Sequence, residues 1–192
     1  MSKVIYYDIE TTGFSRTWCF IIEIAAILYD TETGKEIEVF NEFIKPEGRI
    51  PDKIVEITGI NDFMVKDARS EEQVLMDFLE WVELSGAEAV SGHNIAAFDN
   101  DFISKRAARY GLPMFNIKDV IDTLKIARSK KIPVRAKTKT GRPSYKLEAL
   151  AEHYGIVYDA HRAINDVRAN IKVANKMSGK EEINRKRKEA GF

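Results

Sequence analysis

Five side chains of this chain are of types that together suit metal-assisted hydrolysis: Asp8, Glu10, Asp99, His161 and Asp166. Asp8 and Glu10 are two residues apart, and side chains at i and i+2 of a strand point to the same side. Two adjacent carboxylates raise each other's pKa and destabilise the folded protein unless a cation compensates their charge. Hard divalent cations prefer oxygen ligands of this kind. Alone, such a pair is more often an ordinary surface pair, so the other three residues decide the interpretation.

Two aspartates compete for the third acidic position, Asp99 and Asp101. Both fall near the start of a helix predicted from about residue 97 to 110. On that helix Asp99 neighbours Phe102, which is expected to face the core and the cleft, whereas Asp101 neighbours Lys105 on the solvent face. The pattern therefore favours Asp99 as the site residue. Asp101 is explained by the preference of helix N-termini for acids.

His161 and Asp166 are five residues apart, which on a regular helix is a rotation of about 140° and not a shared face. His161 is therefore expected to precede the last helix and to lean over a cleft from a loop, while Asp166 points there from within the helix. A neutral imidazole near pH 7 has a suitable unperturbed pKa for a general base. A lone histidine is more often structural, and only its pairing with the acids favours catalysis.

The elements that must position these residues follow from hydrophobic periodicity. β-rich runs at 3–10, 20–29 and 37–44 predict three strands in an antiparallel meander, with a reversal at Asp30-Thr31-Glu32-Thr33-Gly34. A short strand is predicted at 89–90 and an apolar run ends at Ile121. Helices are predicted from Ser70 onward and near 97–110, 124–127, 147–153 and 163–177. This order predicts an α/β fold with a mixed sheet, an antiparallel meander plus parallel strands, flanked by helices.

Length and composition set the outer limits. The 192 residues suffice for one α/β domain, expected at 1–178, followed by a charged tail at 179–192 that includes Arg185-Lys186-Arg187-Lys188. Lys+Arg and Asp+Glu are both 30, so net charge excludes no class of partner. The single Cys19 cannot form an internal disulfide, and neither a signal peptide nor a membrane-spanning apolar run is seen. No membrane association and a cytoplasmic location are therefore expected.

A basic segment at 128–146 contains no acid and is broken by proline and glycine. Its length predicts a mobile loop. It either clamps the phosphate backbone of a nucleic acid, with Lys137, Lys139 and Arg142 as candidate contacts, or is a solvated loop. Its cationic residues are Arg128, Lys130, Lys131, Arg135, Lys137, Lys139, Arg142 and Lys146.

Three motifs resemble those of the DEDDh 3′-to-5′ exonucleases of the DnaQ-like superfamily. They are Asp8-Ile9-Glu10-Thr11-Thr12-Gly13, His93-Asn94-x-x-x-Phe98-Asp99 and His161-x-x-x-x-Asp166. Further similar segments follow in order, so the resemblance runs from about residue 3 to 177. Proofreading subunits of bacterial replicative polymerases typically have two residues between His-Asn and Phe-Asp. This chain has three, as some other branches do, which leaves its branch open.

The resemblance implies a ribonuclease-H-like fold and a two-metal site. Two divalent cations, Mg²⁺ first and Mn²⁺ as the alternative, would be bound by carboxylates, with His161 as the general base. The implied reaction releases nucleoside 5′-monophosphates from the 3′ end of a nucleic acid. The implied metal ligands are Asp8, Glu10, Asp99 and Asp166.

The resemblance also implies substrate contacts and partners. Thr11 would hold the terminal nucleotide, Ile60 would wedge against the last base, and Phe98 would lie under the sugar or base. The residues alone leave open that Phe98 is core and that Thr58-Gly59 is a turn before a helix. The expected partner is a nucleic acid with a free 3′ end, DNA favoured and RNA the alternative, together with a polymerase or other protein. A non-catalytic nucleic-acid-binding or polymerase-associated module would be expected to lack one of these acids or the histidine.

Overall fold

The computed structural model describes residues 3–117 and 119–179, and within them the chain forms one six-stranded mixed sheet. The strand order is β4-β3-β2-β1-β5-β6, with β1, β2 and β3 antiparallel and β5 and β6 parallel to β1. The predicted α/β fold with its meander and parallel strands is confirmed. The strands are β1 (Lys3–Thr11), β2 (Ile21–Asp30), β3 (Lys35–Lys45), β4 (Arg69–Ser70), β5 (Ala89–Gly92) and β6 (Asp119–Asp122).

Helices cover both faces of the sheet. Ser70 caps α3 as predicted: its hydroxyl accepts the Gln73 backbone N–H while the Gln73 side chain reaches back, a reciprocal pair that satisfies free donors at the helix start. The sequence did not predict α1, although the start of α2 after Thr58-Gly59 is as expected. The helices are α1 (Asp52–Thr58), α2 (Asp62–Val65), α3 (Glu71–Leu84), α4 (Asp99–Arg109), α5 (Thr123–Ser129), α6 (Leu147–His153) and α7 (Ala163–Ser178).

The central strands are buried on both sides. In β2 every residue but Asp30 is buried, a continuous apolar strand of the kind found under helices on two faces. Phe78 of α3 and Phe102 of α4 pack on one face and are 0% exposed. On the other face, Val167 of α7 packs with Val4 of β1. Phe78→Ala is expected to cost about 3–5 kcal/mol, because a large cavity would replace the ring.

This topology determines where polar side chains can gather. Strands β1 and β5 are parallel neighbours, so their carboxyl ends meet at one edge of the sheet, where open α/β sheets bind ligands. Helix α7 packs across β1 and β2 and ends at Ser178, because the following Gly179 has a left-handed backbone with φ of 71°. The predicted tail basic cluster at 185–188 lies outside the described residues. Within residues 3–117 and 119–179, no helix is long and apolar enough to cross a membrane.

Candidate active site

A cavity of about 560 Å³ opens at the carboxyl ends of β1 and β5. It is lined by all five residues singled out for chemistry: Asp8, Glu10, Asp99, His161 and Asp166. Two come from β1, one from the start of α4, one from the turn before α7 and one from the first turn of α7. The fold thus gathers residues that are far apart in the chain.

Three carboxylates converge in this cavity. One oxygen each of Asp8, Glu10 and Asp166 lies within 4.8 Å of the other two. The three side chains are partly buried, and their donors are all oxygen, which is the ligand type of hard divalent cations. The donor set therefore fits a divalent metal ion of the magnesium class.

Asp99 lines the same cavity but is outside that group of three. It is 3% exposed, and its Oδ1 accepts the Ile9 backbone N–H at 3.2 Å. Asp101 instead forms ion pairs with Arg16, at 3.0 Å, and with Lys105, at 3.2 Å. The helical facing expected for the two aspartates matches this placement, while direct metal binding by Asp99 stays a prediction.

The electrostatics of the site oppose ionisation of its acids. Burial raises the pKa of Asp8 well above its usual range, and the nearby carboxylates of Asp99 and Glu10 raise it further. Burial first, and then Asp166, raises the pKa of Glu10 to about 8. Burial also raises the pKa of Asp99 to about 7 and that of Asp166 to about 6. A bound cation would supply the positive charge that these carboxylates lack.

His161 precedes α7, as its spacing from Asp166 predicts. Its backbone is left-handed, with φ of 66°, and its N–H donates to Asp166 Oδ2 at 2.8 Å. The imidazole is 47% exposed, and its Nε2 lies 3.7 Å from Oε1 of Glu148 on α6. The histidine therefore reaches the cavity from a turn that Asp166 itself holds.

The family follows from comparison with known proteins. The profile of the RNase T family, described as "Exonuclease", matches residues 5–174. The chain belongs to this DnaQ-like exonuclease family.

This exonuclease-family chain is similar to one part of larger proteins that are named DNA polymerases. It is 37% identical over 176 residues to "DNA polymerase III PolC-type" of Caldanaerobacter subterraneus subsp. tengcongensis, covering 91% of the chain and 11% of the polymerase. The Staphylococcus aureus polymerase of the same name is 37% identical over 175 residues, covering 90% of the chain and 11% of the polymerase. The chain therefore spans about a tenth of the length of these relatives.

Two solved exonuclease I structures share its fold. The Escherichia coli enzyme in complex with a dA16 oligonucleotide has a TM-score of 0.78 at 24% identity, covering 94% of this chain and 41% of that one. A moderately thermophilic exonuclease I from Methylocaldum szegediense has a TM-score of 0.78 at 26% identity, with the same coverage. The predicted ribonuclease-H-like exonuclease fold is thereby confirmed.

Sequence reasoning missed two residues that position α7 of this exonuclease-family chain. The Tyr158 hydroxyl donates to Asp166 Oδ1 at 3.1 Å. Glu23 of β2 is 1% exposed and accepts from the Arg162 guanidinium at 2.9 Å and the Ala163 N–H at 3.0 Å. Glu23 could have been recognised from the sequence, because it is an acid within the apolar run of β2. No comparable signal marks Tyr158.

Two of the predicted substrate contacts, Phe98 and Thr11, differ in whether they line the cavity. Phe98 is half-buried and lines the cavity, with the Arg16 guanidinium 5.0 Å from its ring centre. Phe14, 81% exposed, lies with its ring centre 6.2 Å from that of Phe98. Thr11 is 8% exposed, outside the cavity lining, and its hydroxyl donates to the Gly13 carbonyl at 2.8 Å. Phe98 is thus the predicted contact that reaches the cavity.

Ile60 is not brought to the cavity. It is 0% exposed and packs with Ile22, Ile50 and Val65 in a separate apolar cluster. A side chain without exposed surface cannot touch a base in this conformation. The predicted wedge is corrected on that ground: the apolar character that suggested a base contact serves the core.

The basic segment 128–146 contains a hairpin where a loop was predicted. The Thr138 N–H donates to the Arg142 carbonyl at 2.8 Å, and the Ser144 N–H donates to the Ala136 carbonyl at 2.9 Å. Lys137 and Arg142 are exposed and, like the exposed Lys139, are not among the residues that line the cavity. Thr138 and Ser144 do line it, so the hairpin forms part of the wall with its cations outside.

Proposed function

We propose that this protein is a DEDDh-type, metal-dependent exonuclease that hydrolyses phosphodiester bonds at the 3′ end of DNA and releases nucleoside 5′-monophosphates. One observation carries the proposal: oxygens of Asp8, Glu10 and Asp166 lie within 4.8 Å of one another in a cavity that His161 also lines. Oxygen ligands beside a titratable base are the equipment of metal-assisted hydrolysis.

The carboxylates would hold two divalent cations, of which Mg²⁺ is the first expectation and Mn²⁺ the alternative. Asp8, Glu10 and Asp166 would be direct ligands, and Asp99 would bind directly or through water. When bound, the cations would polarise the scissile phosphate and stabilise the charge that develops on the attacking and leaving oxygens. The raised pKa values of Glu10 and Asp166 support this, since the ionised acids lack compensation from the protein.

His161 would take the proton from the attacking water. The water oxygen joins phosphorus, the bond from phosphorus to the 3′ oxygen breaks, and that oxygen takes a proton from solvent, so the shortened strand keeps a 3′-hydroxyl. Two observations support this role: the imidazole is half-exposed in the cavity, and the turn that carries it is tied to Asp166 by a 2.8 Å hydrogen bond. Oε1 of Glu148 lies 3.7 Å from Nε2 of the imidazole, on the cavity wall that α6 forms.

The substrate strand would be held by aromatic and cationic contacts. Phe98 would stack against a sugar or base, Thr11 would hold the terminal nucleotide, and Lys137, Lys139 and Arg142 would bind phosphates outside the cavity. None of the cationic side chains of segment 128–146 forms an ion pair with another residue that the structure describes, which supports a role toward an external anion.

DNA is proposed over RNA on the evidence of relatives. The similar PolC-type proteins are named DNA polymerases, and the structure of the Escherichia coli exonuclease I holds a dA16 oligonucleotide. Similarity to a part of a polymerase also supports action beside a polymerase.

Degradation of 5′-labelled single-stranded DNA, duplex DNA and RNA in Mg²⁺ tests the proposal. We expect a ladder of labelled products that shortens with time, nucleoside 5′-monophosphates as the second product, and no reaction in EDTA. Immediate release of a labelled mononucleotide would mean the opposite polarity. Faster loss of RNA would indicate an exoribonuclease, and binding without cleavage would indicate a non-catalytic module.

A further inference from the structure

The cavity also has a cationic region, formed by α5 and by the start of α6, where the acid Glu148 lines the cavity as well. Arg128 lies on α5, four residues after Leu124, and both side chains line the cavity, as the shared helical face requires. Lys146 lines it from the residue that precedes α6. The basic hairpin joins these two helices, so Arg128 and Lys146 stand at its base. Their backbones are fixed by helices and not by the hairpin tip.

Among the residues that the structure describes, neither cation has an acidic partner. Within residues 3–117 and 119–179, neither Arg128 nor Lys146 forms a side-chain hydrogen bond or an ion pair with another residue. Arg16 and Arg162, by contrast, are paired with Asp101 and Glu23. Unpaired cations in a cavity leave positive charge available to a ligand anion. None of the acids that line the same cavity forms an ion pair with Arg128 or Lys146.

The dimensions and chemistry of a nucleic-acid strand explain two such regions in one cavity. A strand carries one phosphate per nucleotide, so the phosphate next to the reacting one is only a nucleotide away. A volume of about 560 Å³ exceeds what a single phosphate needs and is in the range of sites for whole small molecules. Guanidinium and ammonium groups are the side chains that bind phosphate oxygens most strongly.

We propose that Arg128 and Lys146 bind the phosphate immediately 5′ of the penultimate nucleoside, one nucleotide upstream of the bond that is cleaved. This subsite rests on the proposed function, because it takes the acidic group as the position of the scissile phosphate. It differs from the contacts of Lys137, Lys139 and Arg142, which lie outside the cavity and would meet phosphates further upstream. The enzyme should therefore sense a single phosphate on a dinucleotide.

The test compares two dinucleotides, one with a 5′-phosphate and one with a 5′-hydroxyl, by their kcat/KM for release of the 3′ nucleoside 5′-monophosphate in Mg²⁺. We expect the wild-type protein to prefer the phosphorylated dinucleotide by about tenfold, as one charge-assisted contact provides. Arg128→Gln and Lys146→Gln should each reduce this ratio, and the double variant should bring it close to one. Both dinucleotides are measured with the same variant. A general loss of folding or of metal binding therefore lowers both kcat/KM values equally and leaves their ratio unchanged. Arg128→Lys should keep part of the preference, since the charge remains.

Lys125→Gln is the matched control, because Lys125 is an exposed cation of the same helix that does not line the cavity. Its rates and ratio should equal those of the wild type. A wild-type ratio of one, or an unchanged ratio in the double variant, overturns the subsite. A double variant that loses only inhibition by a 3′-phosphorylated dinucleotide also overturns it, since the cations would then bind on the 3′ side.

Failure of the subsite is distinguishable from failure of the proposed function. A wild-type protein that degrades neither DNA nor RNA refutes the exonuclease itself. A wild-type protein that degrades oligonucleotides, with a ratio insensitive to Arg128 and Lys146, refutes the subsite alone.

Discussion

The acidic and the cationic regions of the cavity both carry charge that the protein leaves uncompensated, yet they differ in burial. The carboxylates of Asp8, Glu10 and Asp166 are partly buried, and their pKa values are raised because burial penalises the charged form. Arg128 and Lys146 are exposed to solvent, where water stabilises their charge. A bound cation would therefore stabilise the ionised acidic region, whereas solvent already stabilises the charge of the cationic region.

This difference separates two kinds of consequence. Changes in the acidic region should alter chemistry, metal binding and stability together. Changes in the cationic region should alter only the binding of an anionic ligand, because solvated charges contribute little to folding.

The largest effect is expected from Asp166→Ala. It removes one of the three converging carboxylates, so cleavage should fall by about a thousandfold or more and the rise in Tm with Mg²⁺ should vanish. Cleavage rate and thermal unfolding with and without Mg²⁺ are the measurements. Asp101→Ala serves as the control, since Asp101 pairs with Arg16 and Lys105 and does not line the cavity. An active Asp166→Ala enzyme would exclude Asp166 as a residue that cleavage requires.

His161→Ala separates proton transfer from metal binding. The cleavage rate should fall by about a hundredfold or more, as for loss of a general base, while the Mg²⁺-dependent rise in Tm persists because the three carboxylates remain. Single-turnover rates and unfolding curves measure the two effects. His153→Ala, on α6 and away from the cavity lining, should leave both unchanged. Unaltered turnover of His161→Ala would exclude it as the base.

Joint replacement of Lys137, Lys139 and Arg142 by Gln tests the cations of the hairpin, which lie outside the cavity. We expect the slope of log affinity against log salt for single-stranded DNA to become shallower by about two, and Tm to stay constant. Fluorescence anisotropy over a range of salt concentrations measures the slope. A triple Lys→Gln variant at the exposed positions Lys35, Lys45 and Lys172 removes the same net charge elsewhere. Equal slopes for the two triple variants would show that position does not matter.

The smallest effect concerns stability against pH. The folded-state pKa values of Glu10, about 8, Asp99, about 7, and Asp166, about 6, lie above their ordinary values of 4.5 and 3.8. The folded protein therefore binds protons more tightly than the unfolded chain, so stability without metal falls as pH rises from about 4 to about 8. Mg²⁺ should offset this loss, and its effect on Tm should grow across that window by several degrees, on the order of 5 °C.

Thermal unfolding in EDTA and in Mg²⁺ at each pH measures the window. Glu10→Gln should flatten the fall in Tm measured in EDTA, because it removes the group whose pKa is the highest of these three. A Mg²⁺ effect that is the same at pH 5 and pH 8 would contradict the assigned role of these acids.

Local patterns predicted much of the fold. The apolar strand at 20–29, the reversal that ends at Gly34 and the Ser70 cap are all present, because each depends on residues within a few positions of one another. Helical facing likewise separated Asp99 from Asp101, since neighbours at three and four residues settle which side of a helix is buried. These features need no knowledge of distant contacts.

Long-range contacts account for what was missed. Ile60 carries no signal that distinguishes a base contact from a core residue, and only its packing with Ile22 and Ile50 decides. Tyr158 and Glu23 act through hydrogen bonds to α7, and the bonds of Glu23 cross about 140 positions of the chain. The hairpin was missed for another reason, since Gly141 and Pro143 suit a loop and a turn equally well.

By itself the sequence determined which groups are available for chemistry, two acids at a strand end and a histidine five residues before another acid, and through its motifs the family. Only the tertiary structure decided how they meet. It brings Asp8, Glu10 and Asp166 within 4.8 Å, buries Ile60, and places Arg128 and Lys146 in the cavity while the other cations of segment 128–146 stay outside. The physical reason is that charge type is a property of a residue, whereas burial and proximity are properties of the packed chain.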